Sequence, residues 1–285
     1  MSVKRTSTHA LGNHTSKWPL VSVIVPTKNS AGTIEKCLKS IVKQTYPKIE
    51  VVVVDGLSRD STRKIADEFK ARVVTSLSKR SEARNIGTQN SEGEYVFFVD
   101  SDMELDPDVI MNCVERIKGY DALIVPETSV GQGFWAKCKA LEKSCYIGDD
   151  TIEATRFFKR SVLGAIGGYD TNLEAGEDWD ISERTRCHGY IIGRIKSQIK
   201  HEEGQLILLD SIRKKHEYGR TIGRYKRKQP SNARKQLSPF RASYIRNRRI
   251  LGKDPIHALG MVTIKTLEFG AGLLGLLESM ISEKR

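Results

Sequence analysis

The stretch Tyr95-Val-Phe-Phe-Val-Asp-Ser-Asp102 decides the fold. Its apolar run is too short for a helix and reads as a strand buried on both faces, which is the mark of a parallel sheet covered by helices. The run ends in two carboxylates one residue apart. Upstream the same unit recurs: a β-branched run, Leu20 to Val25, leads through a turn with Pro26 and Asn29 into Ile34, Leu38, Ile41 and Val42 at helical spacing. A second strand over Ile49 to Val54 leads to a helix over Ser61 to Phe69, and a third over Arg72 to Val74 to a helix over Ser81 to Thr88. Downstream, Asp106-Pro107 opens another helix and Ala122 to Val125 supplies a fifth strand. This alternation predicts an α/β chain with a mostly parallel, doubly wound sheet, whose ligands bind beyond the carboxyl ends of the strands. Asp55, Asp100 and Asp102 all fall at such ends.

Past Gly133 the pattern loosens. It predicts a helix over Phe134 to Tyr146, an extended Ala154 to Phe158, a Gly-rich turn over Gly164 to Gly168, a helix from Glu177 to His188, and a final strand over Tyr190 to Ile199. The division that follows is a leader over residues 1–19, read as flexible, a catalytic domain over 20–205, and a basic helical tail over 206–285. Within the domain, 20–125 form one half and 126–205 the other.

With 285 residues, 39% of them hydrophobic and 29% charged, and a mean hydropathy of -0.40, the chain has neither the composition of a polytopic membrane protein nor that of a disordered one. Its five cysteines include no C-x-x-C pair, so the pattern points neither to a disulfide framework nor to a zinc cluster and suits a reducing cytosol. The leader has no apolar core of a secretory signal. The net charge of +12 is concentrated in one region: Ser211 to Lys253 holds about 15 Lys and Arg against the single acid Glu217.

Two carboxylates directly after a buried strand form an oxygen-rich pair suited to Mg²⁺ or Mn²⁺, ions commonly shared with substrate phosphates. Such an ion offsets the charge that grows on a diphosphate leaving group. Asp55 follows Val51-Val-Val-Val54 in the same way, placed to accept hydrogen bonds from a base or ribose, while Asp60 and Ser61 read as helix-capping residues. Together with these stretches, Val21-Ser-Val-Ile-Val-Pro-Thr-Lys-Asn29, Val53-Val-Asp-Gly-Leu-Ser-Arg-Asp-Ser-Thr62, Ser81-Glu-Ala-Arg-Asn-Ile-Gly87 and Gly176-Glu-Asp-Trp-Asp180 stand in an order that resembles the family 2 inverting glycosyltransferases of the GT-A fold.

The resemblance covers roughly residues 20–205 and implies transfer of a single sugar from a UDP- or GDP-sugar. Pro26 and Asn29 would shape the first nucleotide-binding loop, Asp55 would contact nucleobase or ribose, Arg84 with Asn85 would face the nucleotide, and Asp100 would approach the ribose or donor sugar. Asp102 would hold the divalent cation, Mn²⁺ or Mg²⁺, with His201 as a further ligand. Glu177-Asp178 would be the acidic pair, with Asp178 the base that deprotonates the acceptor and Glu177 its neighbour. Trp179 would stack on the acceptor. Two features depart from the pattern: Gly56 stands where many members carry a second aspartate, and no Q-x-x-R-W follows, which speaks against processive synthesis.

The tail interleaves Tyr218, Tyr225, Phe240 and Tyr244 with Lys and Arg clusters, a pattern open to nucleic-acid binding, to attraction by anionic lipid headgroups, or to a solvated helical face. Ile256 to Ile281 is apolar but interrupted by Lys265 and Glu268, so its longest uncharged runs fall short of the roughly 20 residues that span a bilayer. It reads either as a helix packed on the domain or as an amphipathic helix in the membrane interface. The second predicts a peripheral enzyme on the cytoplasmic membrane face acting on a lipid-linked or saccharide acceptor. The rival readings are a nucleotidyltransferase on a related sheet, which would want a Gly-rich, lysine-bearing first loop, and a nucleic-acid-binding protein acting through the tail.

Overall fold

The computed structural model describes residues 18–239 and 241–282. The expected leader therefore lies outside the described residues except for Trp18 and Pro19, which are fixed: Trp18 meets the Tyr46 ring edge-on at 5.5 Å and the Tyr46 hydroxyl donates to the Pro19 carbonyl. Strands β1 (Val21–Thr27), β2 (Ile49–Asp55), β3 (Arg72–Thr75) and β4 (Tyr95–Phe98) are parallel in the order β3-β2-β1-β4. They alternate with α1 (Ile34–Val42), α2 (Thr62–Glu68) and α3 (Arg80–Gln89). Every residue of β1 except Pro26 is buried, as expected of a central strand covered on both faces. Pro26 is tolerated because the pairing of β1 with β4 stops at Ile24, so its missing N–H interrupts no bond to that neighbour.

Beyond β4 the expectation needs correction. A short β5 (Met103–Leu105) follows Asp102 directly, and α4 (Val109–Arg116) begins only after Asp106-Pro107. Strands β6 (Ala122–Ile124), β7 (Glu127–Gln132), α5 (Phe134–Ser144), β8 (Thr155–Lys159), α6 (Arg160–Ile166), α7 (Glu177–Cys187), β9 (Ile192–Arg194) and β10 (Ile199–Gln205) come next. The large sheet runs β3-β2-β1-β4-β8-β6-β9, with β8 antiparallel to both neighbours. The Gly-rich turn is shorter than expected: Gly164 lies inside α6, and the chain turns at Gly167, whose φ of 77° is the left-handed C-cap that glycine adopts without steric cost. The single strand expected over Tyr190 to Ile199 is two strands in two sheets. β9 closes the large sheet, and β10 sits between β5 and β7 in a second, three-stranded sheet.

The tail is α8 (Leu208–Lys228), α9 (Pro230–Gln236), α10 (Ala242–Arg246), α11 (Arg248–Lys253) and α12 (Pro255–Ser282). α12 is long and apolar enough to cross a membrane. It packs on α8 and α5, burying Met261, Ile264, Glu268 and Ala271. Its other side is not polar, as an amphipathic helix would require, but carries exposed Ile256, Leu259, Val262, Leu274, Leu277 and Ile281. The charges that interrupt it, Lys265 and Glu268, are turned inward to Glu142 and Lys139 of α5.

α8 and α12 approach at glycines. A Cβ on Gly219 would lie 2.1 Å from the Gly272 carbonyl oxygen, and one on Gly275 would lie 2.1 Å from that of His216. Both obstacles are helical backbone, which cannot swing aside. Gly275→Ala gains about 1 kcal/mol of helix propensity but overpacks the crossing at a cost of about 1–3 kcal/mol, so thermal melts should show it destabilised. Gly270→Ala, with nothing within 4 Å of its Cβ, should instead raise the midpoint. Equal midpoints for the two variants would refute the close-packing account.

Candidate active site

The carboxyl ends of β1, β2 and β4 form the rim on which the predicted residues gather. Thr27 pairs in register with Asp55, and Gly56 N–H donates to the Thr27 carbonyl at 2.8 Å, holding the first two loops together. Asn29 adopts a left-handed φ of 50°, which asparagine tolerates better than most residues. Its Oδ1 accepts from Arg59 N–H at 2.9 Å and its own N–H donates to Ser58 Oγ at 2.8 Å, so it ties the two loops together. Asp55 is 2% exposed and accepts from Ser58 N–H through both oxygens, at 3.3 and 3.2 Å. A side chain at Gly56 would press on Lys28 Cβ and the Thr27 carbonyl oxygen, each 3.2 Å from the added atom, so the replaced second aspartate corresponds to a filled space.

Arg84 departs from its expected place. On α3 it is fully buried and does not open onto the surface. Its Nη2 donates to Asp100 Oδ1 at 3.0 Å and its Nη1 to Asp178 Oδ1 at 2.8 Å, while its guanidinium lies 4.8 Å from the centre of the Tyr169 ring. Neighbouring Asn85 turns to the backbone of Tyr169, accepting from its N–H and donating to its carbonyl. Arg84 thus joins the donor-side aspartate to the expected base, although the two stand far apart in the sequence. Asp100 also receives Arg156 of β8 at 3.4 Å. Burial pushes the Asp100 carboxyl up, but the guanidinium groups of Arg84, Arg156 and Arg80 outweigh this and hold it well below the ordinary carboxylate range.

Glu177 and Asp178 open α7 behind Gly176, whose φ of 81° is left-handed. Their environments separate them. Glu177 is buried, with Arg80 Nη1 3.3 Å away, and burial followed by the charge of Asp178 raises its pKa, which favours the protonated form. Asp178 spends Oδ1 on Arg84 and on the Tyr169 hydroxyl at 3.2 Å; among the described residues its Oδ2 has no partner. That oxygen belongs to a residue lining a cavity of about 510 Å³ bounded by α5, α7, α8 and α12. Trp179 lines the same cavity, but its ring meets Tyr225 at 5.8 Å and its Nε1–H donates to the Ile152 carbonyl at 3.1 Å. Much of the ring therefore serves packing rather than a stacking surface.

The second sheet brings Asp102 and His201 together. β5 begins at Met103 and pairs with β10 so that Met103 faces His201 in register, and His201 Nε2 lies 3.1 Å from Asp102 Oδ2. Burial lowers the His201 pKa, but the hydrogen bond and charge of Asp102, with Glu127, bring it above its ordinary value despite Lys143. Asp102 Oδ1 is shielded from solvent and among the described residues has no hydrogen-bond partner, which leaves a carboxylate oxygen beside an imidazole. Carboxylate and imidazole are both donors to a divalent cation, so the pair fits one. The Lys143 ammonium lies 2.7 Å from Nδ1 and can only donate to it, which places the ring proton on Nε2 toward Asp102; ligation through Nε2 would require Lys143 to withdraw to Glu203, its ion-pair partner at 2.6 Å. Among the described residues no third His, Cys, Asp or Glu completes a metal cluster, so further ligands would have to come from elsewhere.

Sequence reasoning missed Arg156, Tyr169, Glu127, Lys143 and Lys215. Arg156 alone left a signal, a cation inside the otherwise apolar Ala154 to Phe158; its Nε donates to Glu127 at 2.5 Å. The others reach the site through β7, α5, α8 and the loop between α6 and α7, whose positions no local pattern reveals.

Known proteins resemble this chain in sequence and in fold. The family model for glycosyl transferase family 2 matches residues 22–169. The glycosyltransferase AglE of Haloferax volcanii is 28% identical over 195 residues, 62% of this chain and 64% of that protein. The chain spans between 16% and 64% of the length of three such curated relatives. Among solved structures, a mannosyltransferase of Pyrobaculum calidifontis in complex with GDP-Man and Mn²⁺ superimposes with a TM-score of 0.67 at 20% identity, covering 93% of this chain and 88% of that one. TarS 1-349 of S. aureus, in complex with UDP-GlcNAc, gives 0.55 at 19% identity, covering 93% and 92%. Both show the fold: a mostly parallel sheet flanked by helices, of GT-A type.

Arg84→Met should leave Asp100 and Asp178 without their shared partner and cost about 3–5 kcal/mol at neutral pH, the usual penalty for removing one member of a buried charge pair. The sign with pH follows from Asp100. Because its folded pKa is depressed, its contribution is fully present above the ordinary carboxylate pKa near 4 and is lost as pH falls below it. The gap between wild type and Arg84→Met in denaturant unfolding should therefore narrow below about pH 4; a gap independent of pH would assign the effect to shape alone.

Proposed function

The chain belongs to glycosyl transferase family 2, and from that premise we propose that it moves a single sugar, with inversion, from a UDP- or GDP-sugar to a hydroxyl or phosphate of a lipid-linked or saccharide acceptor at a membrane surface. The observation that carries the proposal is the single buried guanidinium of Arg84, bonded at once to Asp100 on the donor side and Asp178 on the cavity side. One group thereby fixes the spacing between the place where the donor sugar is held and the place where the acceptor is deprotonated. Inverting displacement needs that fixed relation, because the attacking oxygen must approach opposite the leaving diphosphate.

In this reading Asp55 and the Asn29 loop hold the nucleoside. Asp100, kept ionised by Arg84 and Arg156, accepts hydrogen bonds from ribose or sugar hydroxyls. Asp178 Oδ2 takes the acceptor proton, while Arg84 and the Tyr169 hydroxyl fix the carboxylate through Oδ1. Glu177, held toward its protonated form, orients the acceptor. Asp102 and His201 would hold a divalent cation, which when bound supplies positive charge to the departing diphosphate. The Mn²⁺ in the Pyrobaculum complex supports a cation of this kind. Family membership favours sugar transfer over nucleotidyl transfer and over nucleic-acid binding as the principal activity.

The tail supplies the membrane reading. An apolar face as continuous as the outer side of α12 is rarely left in water, and the basic α8 packed against it is suited to anionic headgroups. Because Lys265 and Glu268 are committed to α5, a helix lying in the interface on the cytoplasmic face accounts for the arrangement better than one crossing the bilayer.

Asp178→Asn should lower kcat by about 10²–10⁴-fold while leaving the thermal stabilisation by UDP- or GDP-sugar with Mn²⁺ close to that of wild type. Asp102→Ala should abolish the Mn²⁺-dependent part of that stabilisation. Retained turnover in the first variant, or metal-dependent binding in the second, would overturn these roles. In a separate flotation assay, Leu274→Glu with Leu277→Glu should release the protein from vesicles containing anionic lipid; unchanged flotation would refute the interfacial placement.

A further inference from the structure

The cavity lined by Asp178 has two further chemistries in its wall. Toward α12 it is apolar, with Phe269, Leu273 and Leu276. Phe269 and Leu273 are also 44% and 47% exposed, so the cavity wall runs without a break into the outer apolar face of the helix. A charged cluster from α5, α8 and α12 shares the wall.

Within that cluster the pairing is uneven. Glu142 accepts from Lys139 at 2.9 Å, Lys265 at 2.9 Å and the Tyr146 hydroxyl at 2.5 Å. Glu268 accepts from Lys139 at 3.1 Å and the Ser211 hydroxyl at 2.6 Å. Both carboxylates are thus saturated. Lys215 sits among them with no carboxylate in ion-pair distance among the described residues; its ammonium lies 5.5 Å from the centre of the Tyr218 ring. Burial pushes its pKa down to about 8, with Lys139 adding to the effect. A lysine kept in such a place lacks an anion that the protein does not provide.

We propose that the cavity receives a phosphate-bearing amphiphile as acceptor, its phosphate at Lys215 and its hydrocarbon along Phe269, Leu273 and Leu276. The assignment rests on the transferase reading and adds to it the acceptor class and its contact residue. A neutral saccharide would use neither the unpaired cation nor the apolar wall, and a free phosphate would use only the first. The combination, in a cavity that Asp178 also lines and α12 borders, fits a molecule with both parts.

The test uses the full chain and three probes below any micelle concentration: dodecyl phosphate, dodecyl maltoside and inorganic phosphate, with binding read by calorimetry. Dodecyl phosphate should bind at least about tenfold tighter than either of the others, a difference of about 1.4 kcal/mol. Lys215→Met should remove about that factor for dodecyl phosphate while leaving dodecyl maltoside binding and stabilisation by the nucleotide-sugar unchanged, and Lys215→Arg should restore it. Equal affinity for dodecyl phosphate and dodecyl maltoside, equal affinity for dodecyl phosphate and inorganic phosphate, or an unaffected Lys215→Met would each overturn the proposal. If dodecyl phosphate binding and its dependence on Lys215 hold but no nucleotide-sugar stabilises the wild type, it is the transferase reading that fails.

Discussion

The structure turns on one buried cation. Arg84 has no exposed surface, and a guanidinium withdrawn from water is tolerated only when its charge and its donors are matched by the protein. Asp100 and Asp178 supply that match, and Tyr169 covers the guanidinium from one side. The dependence runs in both directions: moving either aspartate takes away part of the charge and hydrogen bonding that match Arg84, so the two halves of the site are held in position by the same electrostatic demand. Arg156 repeats the device one strand over, tying Asp100 to Glu127 and through it to the surroundings of His201.

What the sequence revealed follows from which forces are local. Buried parallel strands are continuous apolar runs, so β1, β2, β3 and β4 could be read with their ends correct to about two residues, and the carboxylates at those ends came with them. The pairing of Asp102 with His201 was legible only through the family resemblance. It depends on β5 and β10, strands whose residues, Met103-Glu-Leu105 and Ile199 to Gln205, carry no strand pattern of their own. Arg84 was assigned to the nucleotide through the family resemblance, and nothing local in its polar helix signals burial. Its burial comes from Asp178, far along the chain, and from the bulk of Tyr169. The packing of Trp179 was hidden for a similar reason, since the ring it meets, Tyr225, belongs to the tail.

The tail itself illustrates the limit of composition. Its charge count suggested an appendage, yet α8 and α12 are packed to backbone contact through Gly219, Gly272 and Gly275, and the cavity beside Asp178 has their side chains as walls. Apolar periodicity alone could not separate a helix buried on one side from one apolar all round. Lys265 and Glu268 settled the orientation of α12, because two opposite charges on adjacent turns must face partners rather than lipid.

Gly176 gives this arrangement an order in time. Its left-handed backbone starts the helix bearing Glu177 and Asp178, and a Cβ there would come within 2.8 Å of the Tyr225 ring. The start of α7 is thus shaped against a residue that is synthesised well after it. At roughly 5–20 residues per second, a nascent chain holds its complete sheet for some seconds before that ring exists to press on the loop. The cavity beside Asp178 is therefore closed only once the tail that borders it has docked.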